Sequence, residues 1–177
     1  ILDLADLTVD GTMCTGGAVC IMMMLSGQNV FVAMLAATLA GMLTGLVTGI
    51  FHTFMGIPAI LAGILTQLSL YSINLKIMGK ANQAINVDKY NLLVSLRYIK
   101  NVPFLKNTLF VVAICIILLV LLLYWFFGTE VGCALRATGC NGNMSRAQGI
   151  NTNLTKVLGL MLSNGLVGLS GALLSQY

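Results

Sequence analysis

From residue 109 to residue 127 the chain runs for nineteen positions with no charge and no amide, the phenol of Tyr124 being its one strong polar group. A helix in a water-soluble bundle keeps a polar face toward solvent, and this stretch has none to offer. Its length is close to the ~20 apolar residues needed to cross a hydrocarbon layer of about 30 Å. The composition agrees: 58% of the residues are hydrophobic and 8% are charged, with a mean hydropathy of +0.96, against roughly 25% charged residues in soluble domains. The chain is therefore expected to be an all-α membrane protein, a polytopic helical bundle.

Four more apolar stretches accompany the first, over residues 11–25, 30–54, 57–78 and 154–177. The stretch at 11–25 is short for a full crossing and follows a polar opening that contains Asp3, Asp6 and Asp10. A broken or re-entrant helix near the N-terminal end accounts for both features, because irregular backbone at membrane depth survives where protein or a wet cavity surrounds it. A carboxylate at the bilayer centre costs roughly 2.5–3.5 kcal/mol on insertion scales. We assign Asp3 and Asp6 to the interface, and expect Asp10, beside Thr8 and Gly11, to order the broken helix or line a path. The chain opens at Ile1 without an initiator methionine and stops at Tyr177 inside an apolar stretch. It is expected to be an internal portion of a longer protein, and its opening lacks the layout of a signal peptide.

Small residues recur every fourth position through the stretch at 30–54: Ala33, Ala37, Gly41, Gly45 and Gly49. On a helix they form one stripe against which a neighbouring backbone packs closely. In the stretch at 57–78, Gly63, Gln67, Tyr71 and Asn74 are expected to share a face with Thr66 at its margin. Amides and phenols in hydrocarbon need partners, so this face looks into the bundle, either toward a translocation path or toward interhelical hydrogen bonds.

Two polar segments separate the later spans. Residues 79–106 hold Lys80, Lys89, Arg97, Lys100 and Lys106 against Asp88 alone, with an interfacial helix expected over 90–99. Residues 128–153 hold Glu130, Arg136 and Arg146 among small residues, and Gly139, Asn141, Gly142 and Asn143 predict two short helices around a tight bend. Asn151 or Thr152 then caps the last span.

Chemistry-bearing residues are scarce. The five cysteines, Cys14, Cys20, Cys115, Cys133 and Cys140, form no CxxC pair and His52 is the single histidine, so neither a metal site nor a catalytic residue is expected. There is no GxxxxGK[ST] phosphate loop, and a net charge of +4 does not suggest nucleic acid. Gly168, Leu169, Ser170 and Gly171 spell the GxSG of rhomboid-like intramembrane proteases. In that family, however, the histidine follows the serine, whereas His52 precedes it.

One segment carries a resemblance. GTEVGCALRATGCNGNMSRAQGI, over residues 128–150, resembles the cytoplasmic coupling loop of ABC importer permeases related to the branched-chain amino acid and ribose systems. The matching positions are Gly132, Ala134, Leu135, Arg136, Ala137, Gly139, Asn141, Ala147, Gly149 and Ile150. LDLADLTVDGTMCTGGAV near the start resembles the family's polar break and half-helix. IPAILAGILTQLSLYSINLKIMG and SNGLVGLSGALLSQY resemble two later elements, so nearly the whole chain is covered in order. The pattern is most similar to permeases that work with lipoprotein-type binding proteins for tryptophan, tyrosine or unassigned ligands. Cys140 stands where the family has an acidic or amide residue, and Gly142 where it has proline.

The resemblance implies a single permease domain over residues 1–177, with residues 128–153 as the loop that meets an ABC ATPase. Arg136, Ala137, Gly139, Asn141, Arg146, Ala147, Gly149 and Ile150 would make that contact. Thr8, Asp10, Thr66, Gln67, Tyr71 and Asn74 are the candidates for the path, and Gly41, Gly45 and Gly49 for helix packing. No cofactor is expected in this chain; ATP and magnesium would sit on the partner subunit. Further implied partners are an extracellular substrate-binding lipoprotein, a second permease copy and the bilayer of the bacterial cytoplasmic membrane. Charge points the other way on orientation: five Lys or Arg in residues 79–106, against three in and just beyond residues 128–153, would make the former cytoplasmic. We follow the resemblance, since other spans also bear on orientation, and a basic outer segment suits acidic lobes of a binding protein. An ion-coupled secondary transporter, which also uses broken helices, is the alternative.

Overall fold

The computed structural model describes residue 2, residues 4–80 and residues 108–176. These form seven helices: α1 (Val9–Leu25), α2 (Val30–Thr53), α3 (Ala59–Met78), α4 (Thr108–Phe127), α5 (Glu130–Cys140), α6 (Gly142–Ala147) and α7 (Thr152–Leu174). Among them α2, α3 and α7 are long and apolar enough to cross a membrane, and the bent pair of α4 and α5 supplies a fourth candidate span. The helix expected over 90–99, with Lys89, Arg97, Lys100 and Lys106, lies outside the described residues, as does Asp3.

Backbone proximity, rather than bulky side chains, holds the centre together. The stripe on α2 is buried, and α7 runs antiparallel across it. A Cβ added at Gly41 would strike the carbonyl oxygen of Asn164, and one at Gly45 that of Leu160; at Gly49 it would lie 3.1 Å from Val157 Cα. α7 contributes glycines of its own. A Cβ on Gly168 would come within 2.7 Å of Ala37 O, and Gly16 of α1 and Gly171 of α7 are equally closed by each other's helices. Hydrocarbon solvates leucine as well as a protein interior does, so helices in lipid associate through close van der Waals packing. α1, α2 and α7 have the small residues to achieve it. Cys20, Met24, Ala33, Ala37 and Ala172 close one end of this wedge.

α3 lies along α1, with Gly63 against the Leu7 backbone and Gly11 against Gln67. The turn into α3 begins at Gly56, with φ 69°, and Pro58 serves as N-cap one residue before the first helical turn. His52 Nδ1 lies 2.9 Å from Ile57 O and pins that turn. α4 packs chiefly on α5 and leaves Tyr124 and Trp125 82% and 73% exposed near its end, as suits aromatic side chains at a membrane interface.

Candidate functional site

α1 does not start at the membrane edge. Leu2 lies against Gly159 of α7, and the non-helical residues 4–6 climb beside that helix until Asp6 meets Asn164, near the midpoint of the 23-residue α7. The described residues before α1 therefore lie beside the stretch of α7 from Gly159 to Asn164, inside the bundle, and the 17-residue α1 continues the crossing from there. This is the broken element anticipated near the N-terminus.

The break carries a hydrogen-bond network across four helices. Asp6 accepts at one oxygen from Thr8 N, 2.9 Å, and at the other from Asn164 Nδ2, 2.7 Å. Thr12 Oγ1 lies 2.8 Å from Asn164 Oδ1 and 2.9 Å from Thr44 Oγ1, while Thr48 Oγ1 lies 3.0 Å from Thr8 Oγ1 and 3.1 Å from Thr66 Oγ1. A hydroxyl has one proton and two lone pairs, which allows a consistent chain. Thr44 donates to Thr12, which donates to Asn164; Thr8 donates to Thr48, which donates to Thr66, and Thr66 donates to Ala62 O at 2.9 Å. Thr8, Thr12 and Asn164 are fully buried. An unpaired polar group at this depth would cost several kcal/mol, so the network fixes how α1, α2, α3 and α7 sit together.

The expected path residues fall in different places. Thr8 and Thr66 lie inside this network. Asn74 is buried on α3, and its Oδ1 has no hydrogen-bond partner among the described residues. Gln67 is half-buried against Gly11, and Tyr71 is 67% exposed. At about 100° per residue, Tyr71 lies roughly 80° round the helix from Gly63, past the edge of the arc that faces α1. Asp10 is exposed in the first turn of α1. Asp6, assigned above to the interface, instead occupies the central break. Thr12, Thr44, Thr48 and Asn164 were not anticipated. Thr44 and Thr48 flank the small-residue stripe by spacing, but no local signal marks Asn164 as their partner.

A cavity of about 620 Å³ opens beside the break, bounded by Leu2, Leu4, Ala5 and Asp6, by α7 and by the α4–α5 junction. Asp6 and Ser163 are polar elements in a wall dominated by leucines, Phe127 and Leu135.

The second site is the arm at the end where α7 begins. α4 and α5 meet at 80°. Thr129 caps α5, and a Cβ on Gly132 would lie 2.5 Å from Phe127 Cα, so the elbow closes only around glycine. Arg136 donates to Phe127 O and stacks over the Phe127 ring, 5.9 Å from its centroid. Asn141 Oδ1 accepts from Asn143 N and Met144 N, both 3.1 Å, to start α6. Gly142 therefore occupies a first helical position and does not adopt positive φ. The capping asparagine makes the bend, and proline, which the resembling family carries here, suits the same position. The chain leaves α6, capped at Gln148, through Gly149, whose φ of 84° favours glycine. Arg146 Nη2 donates to Thr152 Oγ1 at 3.1 Å, and Asn151 caps α7 through Leu154 N at 3.3 Å. Cys140, Asn141, Met144, Ala147 and Gly149 are exposed, whereas Ala137, Gly139 and Ile150 are half-buried.

The GxSG sequence is placed far from His52. Ser170 Oγ donates to Val167 O within its own helix at 2.8 Å, at the level of α1 and the start of α2, whereas His52 closes the opposite end of α2.

Helices long enough to span a bilayer, a broken element at its centre and a bent arm at one end define a multi-pass membrane protein. The model of the family described as branched-chain amino acid transport system, permease component, matches residues 1–177, and the chain belongs to that family. It is 40% identical over 179 aligned residues to a tyrosine transport system permease protein of Clostridioides difficile (strain R20291), covering 100% of this chain and 57% of that relative. It is 35% identical over 178 residues to an uncharacterised protein of Rickettsia prowazekii (strain Madrid E), covering 99% of this chain and 59% of the other. The chain thus spans less than three fifths of the length of these curated relatives. No solved structure matches it.

Proposed function

We propose that the chain forms the core of the membrane-spanning subunit of an ATP-driven importer for a small polar solute such as an amino acid. The observation that carries this reading is the arm: two short helices, latched to α4 by Arg136 and to α7 by Arg146, expose small, apolar and polar side chains together, Cys140, Asn143, Met144 and Ala147 among them, at one end of a packed bundle. A knob of that form can seat in a groove of an ATPase subunit, which would hold the ATP and magnesium. The latches would then pass its displacement to the spans. ATP binding and hydrolysis would shift the populations of outward- and inward-open states. In this reading the arm is cytoplasmic, a binding lipoprotein delivers the solute from outside, and a second permease copy covers the open face of α3 that carries Tyr71.

The test uses the full-length permease with its neighbouring subunits. Cys140 is exposed at the bend, so a bifunctional thiol reagent should cross-link it to an engineered cysteine in the ATPase groove. A bulky change at Ala137 or Gly149 should abolish substrate-stimulated ATP hydrolysis while the protein still inserts. Full stimulation in both variants would refute the coupling role. The broken helix with Asp6 at its centre also suits an ion-coupled transporter; gradient-driven uptake by a permease that binds no ATPase would establish that alternative.

A further inference from the structure

We propose that the cavity beside the helix break is a binding site for a small amphiphilic primary amine, with Asp6 holding the ammonium group and the leucine-rich wall the apolar body. As a station for the transported solute, the site rests on the permease reading above; as a binding site it does not.

Three features of the structure lead there. First, Asp6 sits level with the middle of α7 with neutral hydrogen-bond partners, the Thr8 amide and the Asn164 side chain, and none of the described residues that line the cavity is basic. A carboxylate in such a place is stabilised by a cation more than by anything else. Second, an ionised carboxylate offers about four lone-pair sites and Asp6 uses two, so acceptor capacity remains where it borders the cavity. Third, the rest of the wall includes Leu4, Phe127, Leu135 and Leu166, with the Ser163 hydroxyl nearby. At about 620 Å³ the space is of the size that takes small organic molecules.

The same wall argues against other ligands. A fatty acid would set its carboxylate beside Asp6. A sugar would leave most hydroxyls facing leucine without partners, each at a cost of a few kcal/mol. A plain hydrocarbon would leave the carboxylate uncompensated. An apolar or aromatic compound with one protonated amine meets every described surface of the cavity; an amino acid shares that amine and would have to turn its carboxylate away from Asp6.

The experiment measures binding to the full-length permease in lipid nanodiscs, without ATPase, by isothermal titration. The probes are tyramine and 4-ethylphenol, which lacks the amine. Tyramine should bind at least about ten-fold more tightly, the effect of one charge-assisted hydrogen bond. Asp6→Asn should remove that preference, and Ser163→Trp should weaken both probes by filling the space while leaving the Asp6–Asn164 contact in place. Equal affinity of the two probes for the unmodified protein, or no saturable tyramine binding, would overturn the proposal even if Asp6→Asn fails to fold. Unchanged tyramine affinity in Ser163→Trp would place the amine elsewhere. Cross-linking to the ATPase is measured separately, so a failed importer reading and a failed amine site are told apart.

Discussion

The wedge of α1, α2 and α7 and the arm of α5 and α6 are both built around glycine, but they use it for opposite purposes. In the wedge, Gly16, Gly41, Gly45 and Gly168 bring backbones into contact along one buried face of each helix. In the arm, Gly132 closes an 80° elbow and Gly149 supplies a left-handed turn, leaving short helices largely exposed. The wedge is a continuous contact that either forms or does not. The arm is held by discrete latches, Arg136 on Phe127 and Arg146 on Thr152, and this is the construction expected of a part that transmits a displacement.

Substitutions can separate the two. The largest effect should come from Gly45→Leu, which drives a side chain into the Leu160 carbonyl. Because backbone must move, we expect a loss of about 3 kcal/mol or more, read as a marked fall in the detergent unfolding temperature. Stability close to that of the unmodified protein would show that α2 and α7 are not locked together. Next, the double change Arg136→Lys and Arg146→Lys keeps both charges and removes the guanidinium forks. It should leave the unfolding temperature within a few degrees while ATP hydrolysis becomes independent of substrate, provided the importer reading holds. A retained stimulation would mean that the latches carry no motion. The smallest effect is expected for Thr44→Val, which deletes one interhelical hydroxyl contact in the wedge, at about 0.6 kcal/mol. A loss several times larger would show that the network acts as one cooperative unit.

Much of this was readable in the residues. The uncharged stretch ending at Phe127 demanded lipid, the four-residue spacing of Gly41, Gly45 and Gly49 marked a contact face, and Asn141 and Asn151 marked helix starts. These are local signals, because a helix repeats every 3.6 residues and a cap acts within one turn. Gln67 and Tyr71 were harder, since the exact arc of α3 that meets α1 is set by the neighbour and not by α3 itself. Arg136 and Arg146, which the resemblance places at a partner contact, also bond within the chain, to Phe127 and Thr152, and no local pattern marks those bonds.

The sequence by itself determined that the chain lives in a membrane, how many apolar helices it offers and where they start and stop, because hydrophobicity, length and capping are properties of short segments. Only the tertiary structure decided which carboxylate occupies the break. Asp6 and Asp10 are four residues apart in equally polar company, but only Asp6 lies where Asn164, 158 residues further along, can reach it. The cost of burying that charge is settled by a distant helix, and no local pattern records it.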